Sequence, residues 1–301
     1  MKLQLLRAIY KRYMAWRLAE ITEPEYPILL EYRINTEPRY GYGKPAHRLL
    51  EQLIDRNRDV YAATITAISR YGNAFSAIAR EDHASPLEPT FYNTFFSGLD
   101  AMVLYTILGR ENPGRFFEIG SGNSTRFARR AIRDLDLRTK IISCDPRPRV
   151  DIADVSDEVI RERFEDIDLS RLDALEPGDI LFIDSSHRCF TNSDVTVQFL
   201  DVLPGLKRGV TVHFHDILLP YDYPPAWATR FYSEQYLLAC LLLGGAKNLE
   251  IVMPNAFVSA DPALSGSLEP IWKLPHLKDV FVHSRKVYHE FLGFSFWLRK
   301  V

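Results

Sequence analysis

The sequence predicts an α/β fold: a doubly wound, mostly parallel sheet with helices on both faces, preceded by a helical segment. Three observations predict it. Short apolar runs alternate with helical patterns from residue 115 onward, the alternation that builds a parallel sheet. The first run, Arg115–Ile119, breaks into Gly120-Ser121-Gly122 and then enters a helical pattern with Phe127, Ala128, Ala131, Ile132 and Leu135. That is the strand, glycine turn and helix that open a nucleotide-binding sheet. Asp145 closes the second run, where a carboxylate can accept both hydroxyl protons of a ribose.

The elements follow in order. Residues 1–20 carry Lys2, Arg7, Lys11, Arg12 and Arg17 among Leu, Ile, Tyr and Trp, without a clean apolar core or a small-residue cleavage site. They read as an amphipathic helix docked on the domain rather than a signal peptide, with a basic helix on a membrane surface as the alternative. Residues 21–45 hold four prolines and four tyrosines without periodicity and read as a strap. Two helices are expected between Pro45 and Arg80, then a polar break from Glu81 to Pro89, then a helix over Phe95–Leu108 ending at Gly109. Residues 1–110 are therefore a helical cap and strap, and residues 111–301 the sheet domain. Strands are expected at Arg115–Ile119, Lys140–Asp145, Val159–Phe164, Asp179–Asp184, Val210–His215 and Leu249–Met253, with Phe294–Lys300 as a seventh. Pro254–Pro275, with four prolines and a Ser-Gly-Ser, reads as an irregular insertion.

Composition restricts the function. At 301 residues, 47% hydrophobic and 25% charged, the chain has the makeup of a soluble globular protein with a large core. A net charge of −2 argues against a surface built for nucleic acid, which needs a concentrated positive field. Cys144, Cys189 and Cys240 are widely spaced and odd in number, which fits free thiols in a reducing, cytoplasmic setting. No apolar run approaches the ~20 residues of a membrane span. The oligomeric state is not written in the sequence.

The glycine turn narrows the ligand. A pyrophosphate site uses Gly-x-Gly-x-x-Gly to bring phosphates onto a helix N-terminus. Here the third glycine position is Thr125, and Glu118 at the strand end would repel phosphate. A ligand with a cationic end, such as S-adenosylmethionine with its ammonium and sulfonium, suits the turn better.

The ordered set Glu118-Ile-Gly-Ser-Gly-Asn-Ser-Thr125, Ile-Ser-Cys-Asp145-Pro-Arg-Pro-Arg149, Gly-Asp-Ile-Leu-Phe-Ile-Asp184-Ser-Ser-His187, Val-His-Phe-His215-Asp216-Ile217 and Tyr232-Ser-Glu-Gln235 resembles the class I S-adenosylmethionine-dependent methyltransferases. More narrowly it resembles their "EIGSGNST" subgroup of small-molecule methyltransferases. The resemblance covers about the last two-thirds of the chain. It implies a seven-stranded Rossmann-like methyltransferase sheet, whose last strand is antiparallel and inserted between the preceding two, and S-adenosylmethionine as cofactor.

Ligands of open α/β sheets bind beyond the carboxyl ends of the strands. At the first strand, Gly120, Ser121 and Gly122 would line the cofactor's amino-acid moiety. Glu118 would favour its ammonium, directly or through water, and Ser124 and Thr125 would donate to its carboxylate or serve as plain helix caps. Asp145 would take the ribose. Phe164 would stack on adenine, with Glu165 or Asp166 accepting from the exocyclic amine. At the fourth and fifth strand ends, Asp184, His187, His215 and Asp216 converge, while His213 is a core or supporting histidine.

Two mechanisms use that cluster. In one, His215 is a general base that deprotonates a hydroxyl acceptor. In the other, Asp184 and Asp216 hold Mg²⁺ or a similar hard cation that acidifies the hydroxyl. Catechol-type relatives have Asp-Asn where this chain has His215-Asp216, which departs from the metal pattern. The Asn/Asp-Pro-Pro-Tyr of amino-directed relatives is absent after the fourth strand, which favours a hydroxyl acceptor such as a sugar. Tyr221, Tyr223, Trp227 and Tyr232 would wall that acceptor, or pack a helix onto the sheet. Two rivals keep parts of the pattern: a catalytically silent methyltransferase-like binding protein and a nicotinamide-dependent oxidoreductase.

Overall fold

A parallel strand buried on both faces is mostly apolar, and the buried polar side chains in the central strands of this fold, Glu118, Ser143, Thr211 and His213, have hydrogen-bond partners. The computed structural model describes residues 2–21, 30–81, 85, 87–149, 151–289 and 291–301. Residues 22–29 of the expected strap, and residues 82–84 and 86 of the expected polar break, lie outside the described residues. The chain divides into two compact units, Met1–Glu37 and Pro38–Val301. The first contains the helix Lys2–Ile21. Leu5, Leu6, Ile9, Tyr10, Tyr13 and Trp16 fall on one face of it by their spacing.

The second unit is built on a seven-stranded, mostly parallel sheet with helices packed against it. The strands are β1 (Arg115–Ile119), β2 (Lys140–Cys144), β3 (Glu158–Ile160), β4 (Ile180–Ile183), β5 (Thr211–Phe214), β6 (Leu249–Pro254) and β7 (Phe296–Lys300). Their order is β3-β2-β1-β4-β5-β7-β6. All neighbours pair in parallel except β7, which is antiparallel to β5 and β6. The chain winds outward from β1 to β3 and returns to lay β4 beside β1, so strand order reverses between β1 and β4. Ligand crevices of such sheets open there.

Two elements differ from the sequence expectation. The third strand ends at Ile160, and Phe164–Asp166 forms a turn of 3-10 helix instead. Pro254–Pro275 is not irregular: it carries the short helices Asn255–Ala260, Pro262–Ser267 and Glu269–Trp272. Pro262 and Pro270 sit in first turns, where a missing N–H costs nothing, and Asp261 caps Ala263 and Leu264.

The helix Gly98–Glu111 runs two residues past the glycine expected to end it. Gly109 serves packing: a Cβ there would lie 2.5 Å from the Tyr71 hydroxyl. The helix stops at Asn112, which adopts the left-handed conformation at φ 41°. Every residue from Gly98 to Leu108 is buried, so this helix belongs to the core of the sheet unit. Its first turn presents Asp100 to the ends of β5 and β7.

Candidate active site

At the reversal point Gly120 adopts φ +79°, and a Cβ there would lie 1.8 Å from the carbonyl oxygen of Asp184. The glycine therefore lets the ends of β1 and β4 close upon each other. Gly122 has nothing within 4 Å of its Cβ position. It faces a cavity of about 1320 Å³, whose wall includes Gly120, Ser121, Gly122, Ser124, Asp145, Phe164, Glu165, Asp184, His215 and Asp216. Gly122 thus leaves open the space into which a ligand can approach bare backbone.

Asp145 holds the turn in place. Its Oδ2 accepts from Ser121 N at 2.9 Å and Ser121 Oγ at 2.8 Å, and its Oδ1 accepts from Arg147 N at 2.8 Å. Glu118 lies beneath the turn, fully buried and outside the cavity wall. Its carboxyl accepts from Ser124 Oγ and Thr125 Oγ1, both at 2.5 Å, and from Ser143 Oγ at 3.2 Å. The hydroxyls of Ser124 and Thr125 are thus turned inward onto Glu118. Burial pushes the Glu118 carboxyl up to about 8 despite those donors. Glu165 lines the cavity and Asp166 does not; Asp166 pairs with Arg163 Nε at 2.6 Å.

The strand ends of β4 and β5 bring four groups together. His187 Nε2 lies 3.2 Å from Asp184 Oδ1 and 3.5 Å from Asp216 Oδ2. His215 Nδ1 lies 3.6 Å from Asp184 Oδ1 and 3.4 Å from Asp216 Oδ1. Two of the four sit in left-handed backbone conformations, His187 at φ 59° and Asp216 at φ 55°, the kind of local strain that packing sustains at functional sites. Behind them stand two further acids. Glu234 Oε2 contacts His187 Nδ1 at 2.9 Å, and Asp100 Oδ2 contacts His215 Nε2 at 3.3 Å. Asp100 is itself fixed by Asn255 Nδ2 at 2.7 Å and by the backbone N–H groups of Phe294 and Ser295 at 2.9 and 2.8 Å.

Charge sets the protonation states. Burial acts to lower His215, but Asp184, Asp216 and Asp100 outweigh it and raise the imidazole to about 9. Burial likewise opposes protonation of His187, and hydrogen bonds to Asp184 and Glu234 raise it well above its ordinary value. Loss of solvent would raise Asp184, yet the two imidazoles hold its carboxyl below the usual carboxylate range. Asp216 is raised, chiefly by burial. His213 is kept neutral by burial and by the charge on His215; its ring stacks on Phe182 at 3.7 Å and its Nε2 meets Ser295 Oγ at 2.9 Å.

The cluster is held by its own ion pairs. Among the described residues no three or more His, Cys, Asp or Glu are arranged to hold a metal ion, so the Mg²⁺ expected at Asp184 and Asp216 is not supported. Of the aromatic wall, Trp227 and Tyr232 reach the cavity. Tyr221 and Tyr223 do not: Tyr221 packs on Phe291, and the buried Tyr223 hydroxyl accepts from Gln235 N at 3.3 Å. Sequence reasoning assigned no role to Asp100 or Glu234. Glu234 lay in the quoted Tyr232–Gln235 motif. Asp100 was an acid at a helix start in an otherwise apolar pattern, the one signal that could have found it.

The strand order, with its antiparallel β7 between β5 and β6, is that of the α/β methyltransferase fold. Residues 117–217 match the family model described as a methyltransferase domain. That segment runs from β1 to just past β5, about a third of the chain, and it supports a class I S-adenosylmethionine-dependent methyltransferase. No curated protein matches the chain. Among solved structures, the plantazolicin methyltransferase BpumL in complex with SAH is 12% identical, with a TM-score of 0.41, over 84% of this chain and 99% of that one. The plantazolicin methyltransferase BamL, in complex with a triazolic desmethylPZN analog and SAH, is 13% identical at a TM-score of 0.40, over 83% and 99%. Cofactor-bound Rv0187 from MTB is 17% identical at a TM-score of 0.35, over 63% and 81%. Likeness this slight assigns no substrate.

Proposed function

We propose that the protein transfers a methyl group from S-adenosylmethionine to a hydroxyl of a small-molecule acceptor. The observation that carries the proposal is the Asp184–His187–His215–Asp216 cluster at the carboxyl ends of β4 and β5, in one cavity with the open Gly122 turn and Asp145. The bound cofactor supplies an electrophilic methyl group on a sulfonium. The chain's part is to hold the acceptor in line with that methyl and to take the hydroxyl proton.

Asp145 suits the ribose, the bare backbone at Gly122 suits the amino-acid end, and Glu165 flanks the base. His215 is the proton acceptor. Asp100 holds Nε2, which leaves Nδ1 for the hydroxyl. Because His215 is raised to about 9, only about one molecule in a hundred carries the free base at pH 7. Asp184 and Asp216, 3.6 and 3.4 Å from Nδ1, stabilise the imidazolium that forms. His187, braced by Glu234, balances the two carboxylates and sets their positions.

Calorimetric titration with S-adenosylhomocysteine tests the cofactor. Saturable one-to-one binding, lost in Asp145→Ala, is expected. No binding at millimolar ligand would set the methyltransferase reading aside. Tight binding with no product over a panel of sugars and phenols would favour a silent binding protein.

A further inference from the structure

The acceptor end of the cavity carries charge that methyl transfer to a neutral alcohol does not use. Arg188 and Arg230 both line it, with Trp227, Tyr232, Lys286 and His289. Arg188 Nε donates to the Arg230 carbonyl at 2.8 Å and its Nη1 to the Ser186 carbonyl at 3.0 Å. The two guanidinium carbons lie 5.2 and 5.6 Å from the centre of the Tyr232 ring, and that of Arg230 lies 4.5 Å from the centre of Trp227. Among the described residues, neither arginine has a carboxylate within ion-pair distance, although Arg163 in the same cavity wall is paired with Glu165 and Asp166.

The pair is held at a fixed reach from the reaction centre. Ser233 N and Glu234 N both donate to the His187 carbonyl, at 2.8 and 3.2 Å, and Ser233 Oγ accepts from Cys189 N at 2.8 Å. These bonds tie the segment bearing Arg230 and Tyr232 to the segment bearing His187 and Arg188. The Tyr232 ring centre lies 4.7 Å from that of His187, so one aromatic ring separates the guanidiniums from the catalytic cluster. A guanidinium stacked on an aromatic face keeps its in-plane N–H donors for a planar or tetrahedral oxyanion. At the centre itself the two imidazoles are already engaged by Asp184 and Asp216, which leaves neither of them free for an anion. The arginine end, with two guanidiniums free of carboxylate partners among the described residues, suits a negative group.

Resting on the methyltransferase reading, we propose that Arg188 and Arg230 form an anion subsite and that the acceptor is a hydroxylated acid. Its carboxylate or phosphate sits on the guanidinium pair, and its hydroxyl lies about one ring's width away beside His215. Tyr232 and Trp227 flank the body of the molecule between those two ends.

The test uses the full chain saturated with S-adenosylhomocysteine and two matched pairs of probes in calorimetric titration. One pair is 4-hydroxybenzoate and 4-hydroxybenzamide; the other is glucose 6-phosphate and glucose. At least one acid is expected to bind about tenfold to a hundredfold more tightly than its neutral partner, the range of a charge-assisted pair. Which acid does so separates carboxylate from phosphate recognition. Arg230→Gln, at an exposed side chain, and Arg188→Gln should each reduce that preference to within about threefold. Both should leave S-adenosylhomocysteine affinity unchanged. Equal binding of acid and neutral probe, no binding of either acid at millimolar concentration, or a preference that survives both substitutions would overturn the subsite. Failure of S-adenosylhomocysteine itself to bind the wild type would instead overturn the methyltransferase reading.

Discussion

Asp100 reaches from the helix Gly98–Glu111 to His215, Oδ2 to Nε2 at 3.3 Å, and its hold on one ring nitrogen turns the other toward Asp184 and Asp216. Asp100 also helps to raise His215. Asp100→Asn should therefore shift the rise of rate with pH to lower pH and reduce the maximal rate about tenfold or more. It should also cost about 1–3 kcal/mol of stability, because an amide cannot accept from all four surrounding donors. A pH–rate profile that does not move would remove Asp100 from the mechanism and leave it a packing residue.

The pH dependence follows from the sign of the His215 shift. Base action needs the neutral ring, so the rate should climb with pH toward about 9. A flat profile between pH 6 and 9 would transfer the role to a carboxylate, Asp216 first. Stability runs the other way. A histidine raised from 6.5 in the unfolded chain favours the fold fully below pH 6.5, and that contribution is lost as pH passes through about 9. The melting temperature should fall across that window, and the part of the fall due to His215 should vanish in His215→Gln.

The two glycines of the turn should respond oppositely. Gly120→Ala places a methyl 1.8 Å from the Asp184 carbonyl oxygen at φ +79°, so the ends of β1 and β4 must part. Expression as a strongly destabilised or insoluble protein is the expected outcome. Gly122→Ala meets no atom within 4 Å and should fold normally. Its methyl occupies cavity space instead, so S-adenosylhomocysteine affinity should drop about tenfold or more. Undiminished affinity in a folded Gly122→Ala would place the ligand away from this turn.

Much of this arrangement was legible because central strands and their ends have local signatures. The runs before Gly120, Asp145, Asp184 and His215 predicted strands within a residue or two of where they lie, and the acids following them mark the cavity edge. The third strand was overextended because Phe164 looks apolar in sequence, whereas it is the first residue of a 3-10 turn. Asp100 and Glu234 were harder to see. Their partners are 115 and 47 residues away, and only the packing of two helices against the sheet edge brings them to the imidazoles. Of the two roles read for Ser124 and Thr125, the local one is visible in the bonds: both hydroxyls satisfy Glu118, six and seven residues earlier, and Thr125 Oγ1 also accepts from Gly122 N as a helix cap.

That local bond makes Glu118 the residue on which charge and structure can be separated. Its carboxyl is buried, held up to about 8, and surrounded by three hydroxyl donors beneath the turn. If it acts by fixing the turn, Glu118→Gln keeps the shape and most of the hydrogen bonds, and S-adenosylhomocysteine should bind within about threefold of wild type. Its stability should change in a defined sense. A carboxyl raised above its unfolded value of 4.5 removes stability from the fold as pH climbs from there to about 8, because the unfolded chain ionises first. The glutamine variant lacks this penalty and should gain on the wild type progressively across that window. Thermal melts at pH 5 and pH 8 measure the gain. A folded Glu118→Gln that binds S-adenosylhomocysteine a hundredfold more weakly would mean that the negative charge acts on the ligand's ammonium through the turn.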